Sequence, residues 1–136
     1  MPLDNPNGGV GYAAEFQSSA LPWVTSSVAP ASGSPVRYDF AKVARFITIS
    51  NRDATASNSM SVGFTYNGIK NSNNKFIISG GQTVTFELRV KSIWVQGEGG
   101  TPNYSIVAGL TTINAKDMPT LSGTLENGSA GWPGVG

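Results

Sequence analysis

The sequence contains no histidine and no cysteine among its 136 residues. Without cysteine, the chain cannot form a disulfide framework, offer a thiolate nucleophile or bind a metal through sulfur. Without histidine, it cannot form a Ser-His-Asp triad or an imidazole-ligated metal site. Any chemistry at a site would therefore depend on carboxylates, amines, hydroxyls and amides.

Charged residues are also scarce, at 12% of the chain, compared with roughly 25% in ordinary globular domains. Nine Lys and Arg and eight Asp and Glu residues leave a net charge of +1, without a basic run. This balance predicts no direct contact with nucleic acid. No apolar run approaches the length of about 18 residues that a membrane span needs. Residues 1–6 lack the basic and apolar regions of a signal peptide, so none is expected.

The eight carboxylates are dispersed along the chain. A glycosidase needs two carboxylates about 5–10 Å apart across a cleft, and the spacing predicts no such pair. Glu87 and Arg89 lie two residues apart on one predicted strand face, which predicts a solvated or interface ion pair. Asp39, Asp53 and Glu98 fall in predicted loops and would bind calcium only if they converged. We therefore expect no enzymatic activity, no metal site and no cofactor.

Small polar residues are abundant in this sequence, where charged residues are few. Ser, Thr and Asn account for 38 positions, with 17 Gly and 8 Pro, a composition that favours turns over helices. Periodic apolar residues occupy a central domain at residues 20–113, flanked by irregular arms at residues 1–19 and 114–136. The arms are either disordered termini or segments that order on a neighbouring subunit. Trp132 and Tyr12 favour the second interpretation, since a solvated tail gains nothing from large aromatic side chains.

Two runs of alternating apolar and polar residues give the clearest strand signals, at residues 60–66 and 83–91. The predicted inward side chains of the second run are Val84, Phe86, Leu88 and Val90. Residues 75–79 precede that run across Gly80-Gly81, which predicts a β-hairpin. Asn67-Gly68 predicts another turn.

Further β-rich segments bring the expected total to seven or eight short strands. They lie at residues 21–28, 43–50, 93–96 and 104–113, with a weak candidate at 12–17. The segments 43–50 and 104–113 are apolar on both faces, which is typical of a central or interface-facing strand. A helical turn is predicted only at residues 38–43. This spacing of strands and turns is typical of an all-β sandwich or barrel.

Trp23 and Trp94 lie in predicted strands, where burial is the usual outcome for so large a side chain. Trp94 has the opposite parity to its neighbours Ile93 and Val95, which predicts that it faces outward. An outward tryptophan serves either as a ligand platform or as a subunit contact.

Residues 38–113 resemble the penton (vertex) capsid protein of large icosahedral double-stranded DNA viruses of the nucleocytoplasmic type. The stretches that carry the resemblance include Tyr38-Asp39-Phe40, Phe46-Ile47-Thr48-Ile49-Ser50-Asn51, Val62-Gly63-Phe64-Thr65, Phe86-Glu87-Leu88-Arg89-Val90-Lys91 and Val107-Ala108-Gly109-Leu110-Thr111-Thr112-Ile113. The resemblance implies a single jelly roll, an eight-stranded antiparallel β-sandwich with irregular N- and C-terminal arms.

The resemblance also implies a structural role at the capsid vertex. The chain would form a homo-pentamer at each icosahedral five-fold vertex of the virion, after assembly in the host cell. Its neighbours would be trimers of a double jelly-roll major capsid protein, and minor capsid proteins. We take Glu87, Arg89, Lys91 and Trp94 as the candidate subunit interface, because all four are expected to face outward. The alternative hypothesis is a lectin-like, carbohydrate-binding jelly-roll module.

Overall fold

The computed structural model describes residues 21–70 and 73–118, which form two four-stranded antiparallel sheets and little helix. The strands are β1 (Leu21–Val28), β2 (Val36–Asp39), β3 (Lys42–Asn51), β4 (Met60–Gly63), β5 (Phe76–Ile78), β6 (Thr83–Phe86), β7 (Ser92–Gly97) and β8 (Asn103–Asn114). A five-residue helix, α1 (Tyr66–Lys70), follows β4, and a 3-10 turn (Ala115–Asp117) follows β8. No helix among these residues has the length and apolar character needed to cross a membrane.

The strand order identifies the fold. The first sheet has the order β1-β8-β3-β6, and the second has the order β2-β7-β4-β5. All pairings are antiparallel, and the chain crosses between the sheets after β1, β2, β3, β5, β6 and β7. This arrangement is the eight-stranded jelly roll, so the predicted all-β sandwich of the jelly-roll type is confirmed.

The hydrophobic core lies between the two sheets. Alternate residues of each strand point into it, because successive side chains of a strand face opposite sides of the sheet. The buried residues of the core cluster are Ala29, Phe40, Ala44, Ile47, Ile49, Met60, Val62, Ile78, Ile93, Val95, Tyr104, Ile106, Ala108 and Leu110. The two segments predicted to be apolar on both faces are β3 and β8, the interior strands of the first sheet. Their prediction as central strands is confirmed.

The helical turn predicted at residues 38–43 is wrong. Val36–Asp39 form β2, which pairs with β7, and Lys42 already belongs to β3. Between them, Phe40 is buried and its backbone N–H donates to Lys91 O at 2.8 Å. A strand of four residues is too short for an alternating pattern to stand out, and its pairing with β7 is a tertiary effect.

The predicted hairpin across Gly80-Gly81 is also wrong, although the turn itself is present. Gln82 N donates to Ser79 O at 3.1 Å, and Gly81 has a φ of 83°, which suits the third position of a type II turn. The flanking strands do not pair, because β5 pairs with β4 and β6 pairs with β3. The turn therefore carries the chain from one sheet to the other.

Two strand predictions extend too far. The alternation at residues 60–66 continues past the end of β4 at Gly63, and Asn67-Gly68 lies inside α1 instead of forming a turn. Thr65 caps this helix, since its Oγ1 accepts a hydrogen bond from Gly68 N at 2.9 Å. Similarly, β6 ends at Phe86, and Leu88 is 39% exposed, not buried as predicted.

The remaining strand predictions are confirmed at residues 21–28, 43–50, 93–96 and 104–113, which correspond to β1, β3, β7 and β8. The weak strand at residues 12–17 and nearly all of both predicted arms lie outside the described residues. The division into arms and a central domain therefore stays a prediction.

Candidate functional site

The four predicted interface residues occupy different surroundings. Glu87, Arg89 and Lys91 lie in the connection between β6 and β7, whereas Trp94 lies within β7. Arg89 Nη1 donates to Arg45 O at 3.0 Å, and Lys91 Nζ donates to Met118 O at 3.3 Å. Glu87 and Arg89 form no ion pair within the subunit, because β6 ends before Glu87 and Arg89 Nη1 donates to the carbonyl of Arg45, whereas an interface ion pair stays a prediction. Whether these residues contact another subunit stays a prediction.

Trp94 faces outward on the second sheet, as its parity predicts. Ile93 and Val95 are fully buried in the core, while Trp94 is half-buried on the opposite face. The Tyr66 ring packs edge-on against it, with 5.2 Å between the ring centroids. Arg37 Cζ lies 5.6 Å from the centre of the Trp94 ring, a cation–π distance. We call Arg37, Tyr66 and Trp94 the aromatic cluster.

Charged side chains beside the aromatic cluster hydrogen-bond to two of its members. Arg37 Nε donates to Asp39 Oδ2 at 3.0 Å, and both side chains are more than half exposed. Lys70 Nζ donates to Tyr66 Oη at 2.6 Å. The cluster therefore combines two aromatic rings with polar groups on an outer surface, which is the composition of a ligand platform or a protein contact.

Helix α1 positions Tyr66 by packing on the second sheet. Ile69 is fully buried against Gly63 of β4, where a Cβ atom would lie only 2.8 Å from Ile69 Cβ. Gln96 Nε2 of β7 donates to Ile69 O at 3.0 Å. The absence of a side chain at Gly63 thus lets the helix approach the sheet and bring Tyr66 beside Trp94.

A polar network lies next to α1. Glu98 Oε1 accepts hydrogen bonds from Lys75 Nζ at 2.6 Å, Ser61 Oγ at 3.0 Å and Gln96 Nε2 at 3.3 Å. Burial alone would raise the pKa of Glu98, but these donors and the positive charge of Lys75 outweigh it and lower the pKa below the ordinary value. Glu98 is therefore held as a carboxylate by structural partners.

The loop carboxylates do not converge into a metal site. Asp39 pairs with Arg37, Glu98 pairs with Lys75, and Asp53 Oδ1 accepts a hydrogen bond from Thr55 N at 2.8 Å. Within residues 21–70 and 73–118, no three acidic side chains come together as potential metal ligands. Asp39, Asp53 and Glu98 therefore do not converge in the way that calcium binding would require of them.

The outer face of the first sheet presents rows of small, uncharged side chains. One row runs across the strands through Val24, Val107, Thr48 and Thr85, and the next runs through Ser26, Ser105, Ser50 and Thr83. The hydroxyls hydrogen-bond in pairs, with 2.7 Å in Ser26–Ser105 and 2.9 Å in both Thr48–Thr85 and Thr83–Ser50. Sequence reasoning missed this surface, although alternate Ser and Thr residues in the predicted strands were the available signal.

The comparisons with known proteins are sparse. No family model matches the chain, and no curated protein matches its sequence. Among solved structures, one similar chain comes from Bacillus endospore appendages, which form a family of disulfide-linked pili. The two chains are 10% identical with a TM-score of 0.39, and the alignment covers 67% of this chain and 88% of the other.

Proposed function

We propose that this chain is a structural capsid protein that forms the pentameric capsomer at icosahedral five-fold vertices. The observation that carries the proposal is the single eight-stranded jelly roll, the fold that the resemblance to penton proteins implies. Viral capsid domains use this fold widely. Because lectin domains use it too, the fold supports the proposal without separating it from the alternative.

The outer face of the first sheet gives the proposal physical support. Its two rows of outward side chains carry no charge, so identical or neighbouring subunits can cover them without like-charge repulsion. The hydroxyls of Ser26, Ser105, Thr48 and Thr85 already hydrogen-bond to one another. Covering this face therefore leaves few donors or acceptors unsatisfied, which lowers the desolvation penalty of assembly.

In this proposal the chain acts in the virion and has no catalytic activity and no cofactor. Its partners are four further copies of itself, trimers of a double jelly-roll major capsid protein, and minor capsid proteins. Five-fold assembly requires a heterologous interface, in which two different surfaces of one subunit meet those of its two neighbours.

Native mass spectrometry of the full chain tests the assembly. We expect pentamers, either for the chain alone or after addition of the major capsid protein. Imaging of purified particles should then show the jelly roll at the five-fold axes. A chain that stays monomeric under both conditions, and is absent from the vertices, would contradict the proposal.

The second candidate is a carbohydrate-binding module, and the aromatic cluster is the observation that favours it. Tyr66 is 42% exposed beside Trp94, with the Arg37 guanidinium over the indole. Sugars stack on such rings and hydrogen-bond to neighbouring charged groups. A glycan-dependent change in tryptophan fluorescence that is lost in Trp94→Ala, but kept in the control Phe76→Ala, would support this function. Such binding by a strictly monomeric chain would contradict the capsid proposal.

A further inference from the structure

Five of the nine Lys and Arg residues lie at one end of the sandwich. At this end β3 begins, β8 ends, and the connection from β6 to β7 passes between the sheets. Ala44 N of β3 donates to Val90 O of that connection at 2.9 Å. Beyond β8, Ala115 N donates to Ala41 O, just before β3, at 3.1 Å. We call this part of the molecule the basic end, and its cations are Lys42, Arg45, Arg89, Lys91 and Lys116.

Carboxylates are fewer at the basic end. Its acidic residues are Glu87 and Asp117, and both are exposed. The neighbouring Arg37–Asp39 pair adds no net charge, since its two side chains form an ion pair with each other. Within the described residues, no acidic side chain forms an ion pair with Arg45 or Arg89. The basic end therefore has an excess of positive charge, which attracts anions.

Arg45 occupies an irregular position in β3. The two residues that flank it pair with consecutive residues of β8, Leu110 and Gly109, so Arg45 is an extra residue in the ladder. A bulge of this kind re-aims a side chain, and bulges are over-represented next to functional sites. Arg45 Nε is buried without a hydrogen-bond partner in the described structure, although the residue as a whole is half-buried. Buried donors are nearly always satisfied in folded proteins, by water or an ion where no protein group is near.

Arg89 reaches the same point of β3. Its Nη1 donates to Arg45 O at 3.0 Å, so its guanidinium lies against the backbone of the bulge. This bond uses one of the N–H donors of Arg89 and leaves its positive charge uncompensated. The planar fork of a guanidinium suits two oxygens of one phosphate or carboxylate group. Two positive side chains at one point of the backbone also repel each other, and a bound anion offsets that repulsion.

We propose that Arg45 and Arg89 bind an oxyanion, a phosphate or carboxylate group, at the basic end. The three lysines of this end raise the local concentration of anions, but the site does not require them as direct ligands. Lys42 Nζ, for example, already donates to Asn114 Oδ1 at 2.6 Å. The site does not depend on the proposed capsid function, because both arginines belong to the same subunit.

Calorimetric titration of the full chain with pyrophosphate, at constant ionic strength, tests the site. We expect saturable binding, which Arg45→Gln and Arg89→Gln should each weaken by about tenfold or more, because each removes charge-assisted hydrogen bonds. Arg45→Lys should fall between Arg45→Gln and the unmodified chain, since it keeps the charge but loses the planar fork. The matched control is Arg52→Gln. It removes the same charge from an exposed residue at the opposite end of β3 and should change little.

Thermal unfolding provides a second measurement. Pyrophosphate should raise the unfolding temperature of the unmodified chain and of Arg52→Gln, because a ligand that binds only the folded state stabilises it. Arg45→Gln and Arg89→Gln should show little of this effect. If Arg45→Gln fails to fold, Arg89→Gln still tests the site, since Arg89 lies in a connection between strands. Circular dichroism checks the fold of each variant.

A carboxylate of the chain itself is the other source of an oxyanion. Glu126 is the one acidic residue of the sequence at positions 119–136, which follow the basic end. If the unmodified chain bound no pyrophosphate but Glu126→Gln did, the result would support the site and assign Glu126 as its ligand. Arg45→Gln should then remove the binding gained by Glu126→Gln. Glu15→Gln is the control for loss of a carboxylate and should gain no binding.

Three results would overturn the proposal. The first is an absence of pyrophosphate binding in both the unmodified chain and Glu126→Gln. The second is an equal loss of binding in Arg52→Gln, which would indicate a general charge effect. The third is an equal rise in unfolding temperature with sodium chloride at matched ionic strength, which would reduce the effect to screening.

Discussion

Lys75 and Glu98 form an ion pair, with Nζ and Oε1 separated by 2.6 Å and with side chains that are 18% and 20% exposed. Lys75 immediately precedes β5, whereas Glu98 follows β7, so the pair joins the ends of β5 and β7 across β4 in the second sheet. Ser61 on β4, the strand between them, donates to the same carboxylate oxygen. One carboxylate thus holds together three neighbouring parts of this sheet.

Glu98→Gln should lower stability in a pH-dependent way. The pKa of Glu98 is lowered in the folded protein, so its ionised form stabilises the fold above the ordinary pKa of about 4.5. This contribution is lost as the pH falls through the folded value. Urea unfolding at pH 7 should therefore show a less stable variant, and the difference from the unmodified protein should shrink at pH 3. The exposed Glu87→Gln is the control, and an equal effect from it would contradict a specific role for Glu98.

Gly63→Ala should displace α1 from the second sheet. The added methyl would lie 2.8 Å from Ile69 Cβ, so the helix or the strand must shift. We expect a loss of about 1–3 kcal/mol in the free energy of unfolding, as for an overpacked core. Near-ultraviolet circular dichroism should change as well, because Tyr66 moves relative to Trp94. Unchanged stability and an unchanged spectrum would show that α1 does not depend on this contact.

Substitutions in the turn between β5 and β6 should separate steric clash from backbone strain. Gly80→Ala would place its Cβ 2.0 Å from Thr55 O, whereas the nearest atom to a Cβ at Gly81 lies 3.8 Å away. Gly81→Ala suffers instead from the φ of 83° and should cost about 1 kcal/mol. Gly80→Ala should be the more destabilising of the two in urea unfolding. Gly81→Asn should be milder than Gly81→Ala, since Asn tolerates positive φ. A larger loss of stability for Gly81→Ala than for Gly80→Ala would contradict the turn geometry.

Tyr104→Phe should destabilise the sandwich at neutral pH. The Tyr104 hydroxyl hydrogen-bonds to the Tyr38 hydroxyl, which joins β8 of the first sheet to β2 of the second. Its loss should cost about 1–2 kcal/mol, the usual range for a removed hydrogen-bond partner. Ser105→Ala, which removes an exposed hydroxyl from the outer face, should cost less.

The same variant should respond differently to alkaline pH. Burial, followed by the hydrogen bond with Tyr38, raises the pKa of Tyr104 above its ordinary value of 10. Above pH 10 the unfolded chain loses this proton first, so the unmodified protein loses stability as the pH rises. The stability gap between the two proteins should therefore narrow above pH 10 in urea unfolding. A gap that stays constant would contradict a buried, neutral Tyr104.

The longer strands could be predicted because their signal is local. β1, β3 and β8 have eight to twelve residues, enough for β-branched and alternating residues to stand out. β2, with four residues, was missed. The sequence predicts that Trp94 faces outward because it alternates with Ile93, and side chains of a continuous strand alternate between the two faces of the sheet.

The sequence predicts the candidate surfaces less well than it predicts the longer strands. Glu87 and Arg89 were placed on one strand face, but the strand ends at Phe86, where the chain crosses to the second sheet. The alternation at residues 60–66 predicts a strand that includes Tyr66, although Tyr66 begins the helix that brings its ring to Trp94. Both errors concern the ends of elements, where tertiary packing overrides a continuing alternation.

The amino-acid sequence alone indicated an all-β sandwich or barrel and excluded thiol and imidazole chemistry, because composition and a period of two are local properties. Only the tertiary structure decided which strands pair. The turn at Gly80-Gly81 is compatible with a hairpin, but the pairing of buried Ile78 with Met60 and of half-buried Phe86 with Ile47 assigns its two strands to different sheets. That choice places β5 and β6 at the ends of two different sheets, because the order of strands in a sheet depends on contacts between residues far apart in the chain.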